Sequence, residues 1–347
     1  MKRFKFIIIS IILSMLLYKF INLNLHSVCE IDKCPTPNLC SENIRLQSNS
    51  FVEFFSNYFG VKNIFYGLYN NNQKVVIKKL RRYLELNKLL KNDGDLYDKM
   101  SKSNANFKMC SAKLFARFFD LVVAENPAME SYWLSVLSIN AEPLVLQVLK
   151  AEDNWPVPRY LGVCGHCFVE THCGNTLNSF KEANWYTRAK IALQLLKAAK
   201  SFTDRHSLFR FYLTDVSPDN IAIDRNLRVT FVDLENVIMT GKDSNLNVHL
   251  SERFDDIDGF AFSENSICSS SISDHNYYAI CKLLLSNNAP WPMMEGGLLH
   301  SPPKDVRVHF HLFTLIRSCS HDVNCFHAIE EIIVMLQNLT NVKNVHK

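Results

Sequence analysis

Three polar residues near the middle of the chain have the types and spacing for shared chemistry. Asp215 and Asn220 stand in the pattern D-x-x-x-x-N within "LTDVSPDN", and Asp233 follows in "FVDLEN". A carboxylate can orient an attacking hydroxyl and accept its proton. A second carboxylate and an amide oxygen can hold the divalent metals that bridge phosphates. That set serves phosphoryl transfer. Between Asn220 and Asp233 runs "IAIDRNLRVTFV", which reads as a β-hairpin that returns the chain to its starting point. Each piece alone is a weak signal, since an Asp that ends a strand is common. Their order, with the hairpin between them, is the stronger one.

The elements that must position these residues can be sought on either side. Upstream, "VVIKKL" matches the strand that carries the phosphate-binding lysine of kinases, which makes Lys78 the candidate. The bland reading, a solvated charge at a strand end, competes with it. A partner carboxylate should open the helix before the next strand. Glu142 opens "EPLVLQVLK" and "WPVPRYLG" follows, with Glu85 and Glu130 as competitors. The distance from Lys78 to Glu142 implies an insertion. Downstream, Asp274 leads "SDHNYYAICKLLL", where it reads either as an anchor for the catalytic-loop backbone or as an N-cap.

Several parts of the usual pattern are missing. Leu213 and Thr214 stand where H-R-D has His and Arg, "DLE" replaces D-F-G, and no A-P-E occurs. The glycine-rich loop is poor, with only Gly60 and Gly67 in "YFGVKNIFYGLY". Fewer glycines mean a less close approach of backbone amides to phosphate.

The wider layout is a small β-rich half followed by a larger α-rich half. Residues 51–80 read as strands turned at "NNNQ", and "AKLFARFFDLVV" has helical periodicity. Residues 141–150 read as an amphipathic helix and 157–172 as two strands around Gly162 and Gly165. Residues 188–203 read as a long buried helix, and helices dominate from Asp274 on. "VHFHLF", with His309 and His311, alternates like an exposed strand or loop. The four tryptophans read as core.

With 347 residues, 48% of them hydrophobic and 21% charged, the chain can bury a full core. A net charge of +4 without a basic stripe argues against nucleic-acid binding. "MKRFK" precedes the apolar run Phe6–Tyr18, which reads as a signal peptide or an uncleaved signal anchor, the anchor being favoured. The basic flank would leave the rest in the lumen. The eleven cysteines then read mostly as disulfides, with an odd one left over. Cys29, Cys34 and Cys40 lie in a polar lead-in that needs staples. Cys164 and Cys167 have a zinc-ligand spacing, but the strand-like run after them fits a disulfide or core packing better. Asn338 in "NLT" is a glycosylation sequon.

As a set, "DKCPTPNLC", "VKNIFY", "VVIKKL", "EPLVLQ", "WPVPRYLG", "LTDVSPDNIAI", "VTFVDLENVI", "DHNYYAICKLLLS" and "GGLLHSPP" resemble the divergent protein kinase domain family of the secretory pathway. The branch is the one that contains the deleted-in-autism protein. The resemblance implies an α+β, protein-kinase-like bilobal fold with a small β-rich N-lobe and a larger α-helical C-lobe. The expected division is a stub at 1–5, a membrane anchor at 6–22, a Cys-bearing luminal lead-in at 23–50, an N-lobe at 51–172 with an insertion at 81–140, a C-lobe at 173–337 and a tail at 338–347. It implies ATP with Mg²⁺ or Mn²⁺. Asp215 would be the catalytic base, Asn220 and Asp233 the metal ligands, and Lys78 with Glu142 would hold the phosphates. It also implies residence in the Golgi or endoplasmic reticulum membrane, or secretion, and a luminal or extracellular protein acceptor or receptor. Two functions remain open: a phosphotransferase, and a pseudokinase or secreted ligand that signals without catalysis.

Overall fold

The structure is a computed structural model. It describes residues 25–29, 44–47, 63–70, 72–80, 108–124, 127–137, 139–242, 248–249, 262–309, 311–321 and 325–342. The apolar run at 6–18, Cys34, Cys40, Gly60 and Glu85 lie outside the described residues. Among the described residues no helix is long and apolar enough to cross a membrane. The chain divides into two compact units. The first takes Met1–Asp93, Ala128–Ile139 and Arg159–His172, and the second takes Gly94–Pro127, Asn140–Pro158 and Cys173–Lys347.

The first unit is built on an antiparallel sheet of β1 (Ile44–Leu46), β2 (Ile64–Tyr69), β3 (Gln73–Lys79), β4 (Tyr160–Cys164) and β5 (Cys167–Thr171), in the order β1-β2-β3-β5-β4. Strand alternation explains β3. Val75 and Ile77 are fully buried on one face, while Val76 and Lys78 point to the other. Val75, Ile77, Phe65 and Val169 form a core with Val28 and Ile44 from the lead-in. The tight link from β2 to β3 falls in "NNNQ", where Asn70 takes a left-handed φ of 49°. Gly67 belongs to β2 and not to a phosphate loop. A Cβ there would lie 2.9 Å from the Arg45 carbonyl, so glycine lets β1 pair closely. The Cys29–Cys167 disulfide, across 138 residues of sequence, staples the polar lead-in to β5. That bond also takes Cys167 out of any zinc site.

The second unit is mostly helical. Its described helices include α1 (Ala112–Val123), α2 (Glu142–Val148), α3 (Trp185–Asp204), α4 (His275–Ile280), α5 (Leu312–His321) and α6 (Cys325–Val342). Asn184 caps α3 by accepting the N–H of Tyr186. Its Ala- and Leu-rich body buries Ala189, Ala192, Leu196, Ala199 and Phe202, and it packs along α6. Buried Arg188 of α3 gives its guanidinium to the carbonyls of Ala183, Leu298 and His300. Those bonds fix the "GGLLHSPP" segment. Contrary to the amphipathic reading, α2 buries every residue from Glu142 to Leu146, because neighbouring elements surround it. Pro143 is tolerated because it stands at the helix start, where no intrahelical N–H bond is lost. Lys304–His309 is helical, so His309 does not alternate along a strand. The Cys110–Cys268 disulfide crosses this unit, and Cys319–Cys325 closes the α5–α6 connection. Trp133, Trp155 and Trp185 are buried, and Trp291 is half-buried.

Short strands carry the candidate chemistry. β7 (Phe209–Leu213) pairs antiparallel with β10 (Val237–Gly241), flanked by the two-residue strand Lys108–Met109. β8 (Ile221–Ile223) pairs with β9 (Val229–Phe231) and with β6 (Asn175–Thr176). The expected α+β content is therefore present, with a β-sheet N-terminal part and a helical C-terminal part.

Candidate functional site

The second unit brings Asp215, Asn220 and Asp233 together, and the local chain explains how. β7 ends at Leu213 and delivers Asp215 to the surface, with Val216 and Pro218 buried beneath the loop. Pro218 starts a single 3-10 turn closed by the Asn220 N–H on the Ser217 carbonyl at 3.1 Å. The β8–β9 hairpin follows. Its register sets Phe231 opposite Ile221, and one step further the Val232 N–H donates to the Asn220 carbonyl at 2.9 Å. Asp233 thus emerges beside Asn220. The hairpin turn is organised by Asp224, whose carboxylate accepts the N–H groups of Asn226 and Arg228, both at 2.8 Å.

The Asp215 carboxyl titrates above the usual carboxylate range. Partial desolvation is the main cause and the nearby Asp233 carboxylate adds to it, while the side chains of Asn220 and Asn236 hydrogen-bond to it and pull the other way. The Asn220 amide also donates to the Asp215 backbone carbonyl at 3.3 Å. Asn236 escaped the sequence reading. It joins the site because Thr214 Oγ1 donates to its carbonyl and the "DLEN" turn folds back beside the loop. An amide three residues beyond Asp233 was the only hint of it in the sequence.

Behind Asp233 the turn is tied down from α2. Glu142, 1% exposed, accepts the N–H of Leu234 through Oε1 at 3.2 Å. Asn140 accepts the Glu142 N–H at 2.8 Å and donates to Glu235 Oε2 at 2.7 Å. The Glu235 N–H reaches Asp233 Oδ1 at 3.3 Å. Before the loop, β7 is gripped by α4. Asn276 accepts the Leu213 N–H at 2.9 Å and donates to the Phe211 carbonyl at 2.8 Å, and His275 Nε2 meets the Leu213 carbonyl at 2.9 Å. The latter contact requires a proton on Nε2. Fully buried Asp274 occupies the helix-leading position without capping it, and accepts the Cys325 N–H at 3.2 Å.

Lys78 lies in the first unit. Its ammonium is 3.2 Å from Glu170 Oε1 and 5.6 Å from the centre of the Phe168 ring. The β3–β5 register explains both contacts: Lys78 faces Phe168 directly, and Glu170, opposite Val76, is its diagonal neighbour. Glu170 was missed at the sequence level. The available signal was a carboxylate inside the apolar strand "CFVET", a placement that needs a partner.

The family profile described as the protein-kinase domain of FAM69 matches residues 133–322, more than half of the chain. Human divergent protein kinase domain 2A is 37% identical over 222 residues, covering 60% of this chain and 52% of the relative. The mouse 2A protein is 38% identical over 199 residues, covering 54% and 46%. Mouse divergent protein kinase domain 2B is 36% identical over 93 residues, covering 27% and 21%. The chain belongs to the divergent protein kinase family, as the motif set indicated. It spans about half the length of the 2A relatives it matches.

Proposed function

We propose that this protein is a metal-dependent, ATP-using phosphotransferase acting on a luminal or extracellular protein acceptor. The observation that carries the reading is the proximity of Asp215 and Asp233, with two amides on Asp215. Two neighbouring carboxylates repel, and a divalent cation relieves that repulsion; carboxylate and amide oxygens are the ligands Mg²⁺ and Mn²⁺ prefer. The residues present therefore fit such an ion, held by Asn220 and Asp233. When bound, the ion would neutralise charge on the phosphates. Asp215, exposed at the loop, would orient the acceptor hydroxyl and take its proton. Asn236 and Asn220 would hold the Asp215 carboxylate in its working rotamer, and Lys78 would contact phosphate oxygens from β3.

A secretory location supports the acceptor class. The basic flank and apolar run at the N-terminus fit a signal anchor, and disulfides persist in oxidising compartments. The reading is single-pass residence in the Golgi or endoplasmic reticulum membrane, or secretion.

A second reading is a pseudokinase or signalling ligand. The "DLE" turn favours it, because Glu235 is engaged by Asn140 and no glycine follows Asp233. Thermal unfolding of the secreted chain, with ATP and either Mg²⁺ or Mn²⁺, separates the two. A ligand that binds only the folded state raises its melting temperature. The phosphotransferase reading expects a metal-dependent rise that Asp233→Ala abolishes. No rise with any nucleotide, in a protein that unfolds cooperatively, would overturn it in favour of the binding-protein reading.

A further inference from the structure

Cys281, Cys319 and Cys325 are all completely buried, and their sulfurs lie within 4.8 Å of one another. Cys319 on α5 and Cys325 at the start of α6 share a disulfide, while Cys281 carries a thiol. The Cys281 backbone is unusual as well. It opens a π-helical stretch, Cys281–Leu285, closed by the Ser286 N–H on the Cys281 carbonyl at 2.8 Å. Such stretches interrupt a helix at a cost and recur at functional sites.

We propose that these three residues form a thiol–disulfide exchange site, in which the cross-link passes from Cys319–Cys325 to a pair that includes Cys281. The Cys281 thiol gives up its proton and the thiolate attacks one sulfur of the disulfide. The S–S bond breaks as the new one forms, and the displaced cysteine leaves as a thiolate that takes up a proton. One disulfide is lost and one gained, so no outside oxidant or reductant is consumed.

The position of the triad gives the exchange a consequence. Cys281 directly follows α4, whose His275 and Asn276 grip the strand that leads to Asp215. Asp274, just ahead of α4, accepts the backbone N–H of Cys325. In the present pairing the cross-link joins α5 to α6 across a separation of only 6 residues. After exchange it would join the α4 extension to α5 or α6 across a far longer loop, which would constrain the unfolded chain more strongly. The covalent link would then brace the element that anchors the Asp215 loop.

The test is disulfide mapping of the full chain. The protein is equilibrated in a mixed buffer of reduced and oxidised glutathione, quenched with acid, and alkylated in denaturant. It is then cleaved with trypsin and at Asp322, which separates Cys319 from Cys325. The expected result is cross-linked peptides joining Cys281 to Cys319 or Cys325 beside the Cys319–Cys325 pair. Cys281→Ser should retain only the latter, and Cys325→Ser should form Cys281–Cys319 under the same buffer. Stoichiometric alkylation of Cys281 in the unmodified protein, with Cys319–Cys325 as the sole pairing, would overturn the proposal. If Cys325→Ser does not fold, Cys319→Ser supplies the mirror test through Cys281–Cys325, and the mapping of the unmodified chain decides by itself.

Discussion

The Glu142 carboxylate accepts the Leu234 backbone N–H, so the acid that opens α2 holds the residue next to Asp233. Both residues are buried, which makes the bond costly to leave unmade. Glu142→Ala should destabilise the protein by about 1–3 kcal/mol, the cost of an unsatisfied buried donor. Glu142→Gln keeps an oxygen acceptor and should lose less. Urea unfolding of the three proteins checks the order, and equal midpoints for Ala and Gln would contradict the role of the bond.

Glu170 places a carboxylate, 1% exposed, against a Lys78 side chain that is 12% exposed. Removing one member of a buried ion pair costs about 3–5 kcal/mol when the other charge is stranded. Glu170→Ala should approach that loss, reduced by the other contacts of Lys78. A change below about 0.5 kcal/mol, the usual size of a surface substitution, would show that the pair carries little. Chemical denaturation gives the value directly.

Gly174 precedes β6 with φ +116°, and a Cβ there would lie 2.0 Å from the Ile223 carbonyl oxygen in β8. No side-chain rearrangement relieves a clash with backbone. Gly174→Ala should therefore pry β6 from β8 and cost about 3 kcal/mol or more. For a chain of 347 residues that is a drop of about 4 °C in melting temperature, readable by circular dichroism. An unchanged melting temperature would show that β6 pairs differently.

His206 supplies the pH dependence. Its ring stacks on Phe209 at 4.9 Å, and Nδ1 accepts the N–H groups of Leu208 and Phe209. Burial, and then the Lys242 ammonium, push its pKa below the ordinary 6.5. The folded state therefore favours the neutral ring, and the unfolded chain takes up a proton first. Stability should fall as pH drops through about 6.5 and level off below the folded pKa. His206→Asn keeps an acceptor oxygen without titrating, so it should flatten that part of the curve. A melting series from pH 8 to pH 5 on both proteins measures the difference, and parallel curves would exclude His206 as the source.

Much of the architecture was legible because it rests on local patterns. Period-two alternation in "KVVIKK" marked β3, and the Ala- and Leu-rich stretch at 188–203 marked α3. Local pattern also misled. Gly67 resembled a loop glycine, yet β1 passes close over it. The helix at 142–148 resembled a one-sided helix, yet it is enclosed. In both cases the deciding neighbour comes from elsewhere in the chain.

The sequence by itself determined the group of Asp215, Asn220 and Asp233. A short hairpin joins the last two, and hairpin register follows from turn and alternation alone. It also determined the lysine strand and the family. Only the tertiary structure decided which groups surround them. Glu170 reaches Lys78 through a strand pairing across the sheet, Asn236 reaches Asp215 through a folded-back turn, and Cys29 finds Cys167 across 138 residues. Cys281 comes against Cys319 and Cys325 only when the helices carrying them pack. Such contacts are set by packing between distant segments, and no spacing along the chain encodes them.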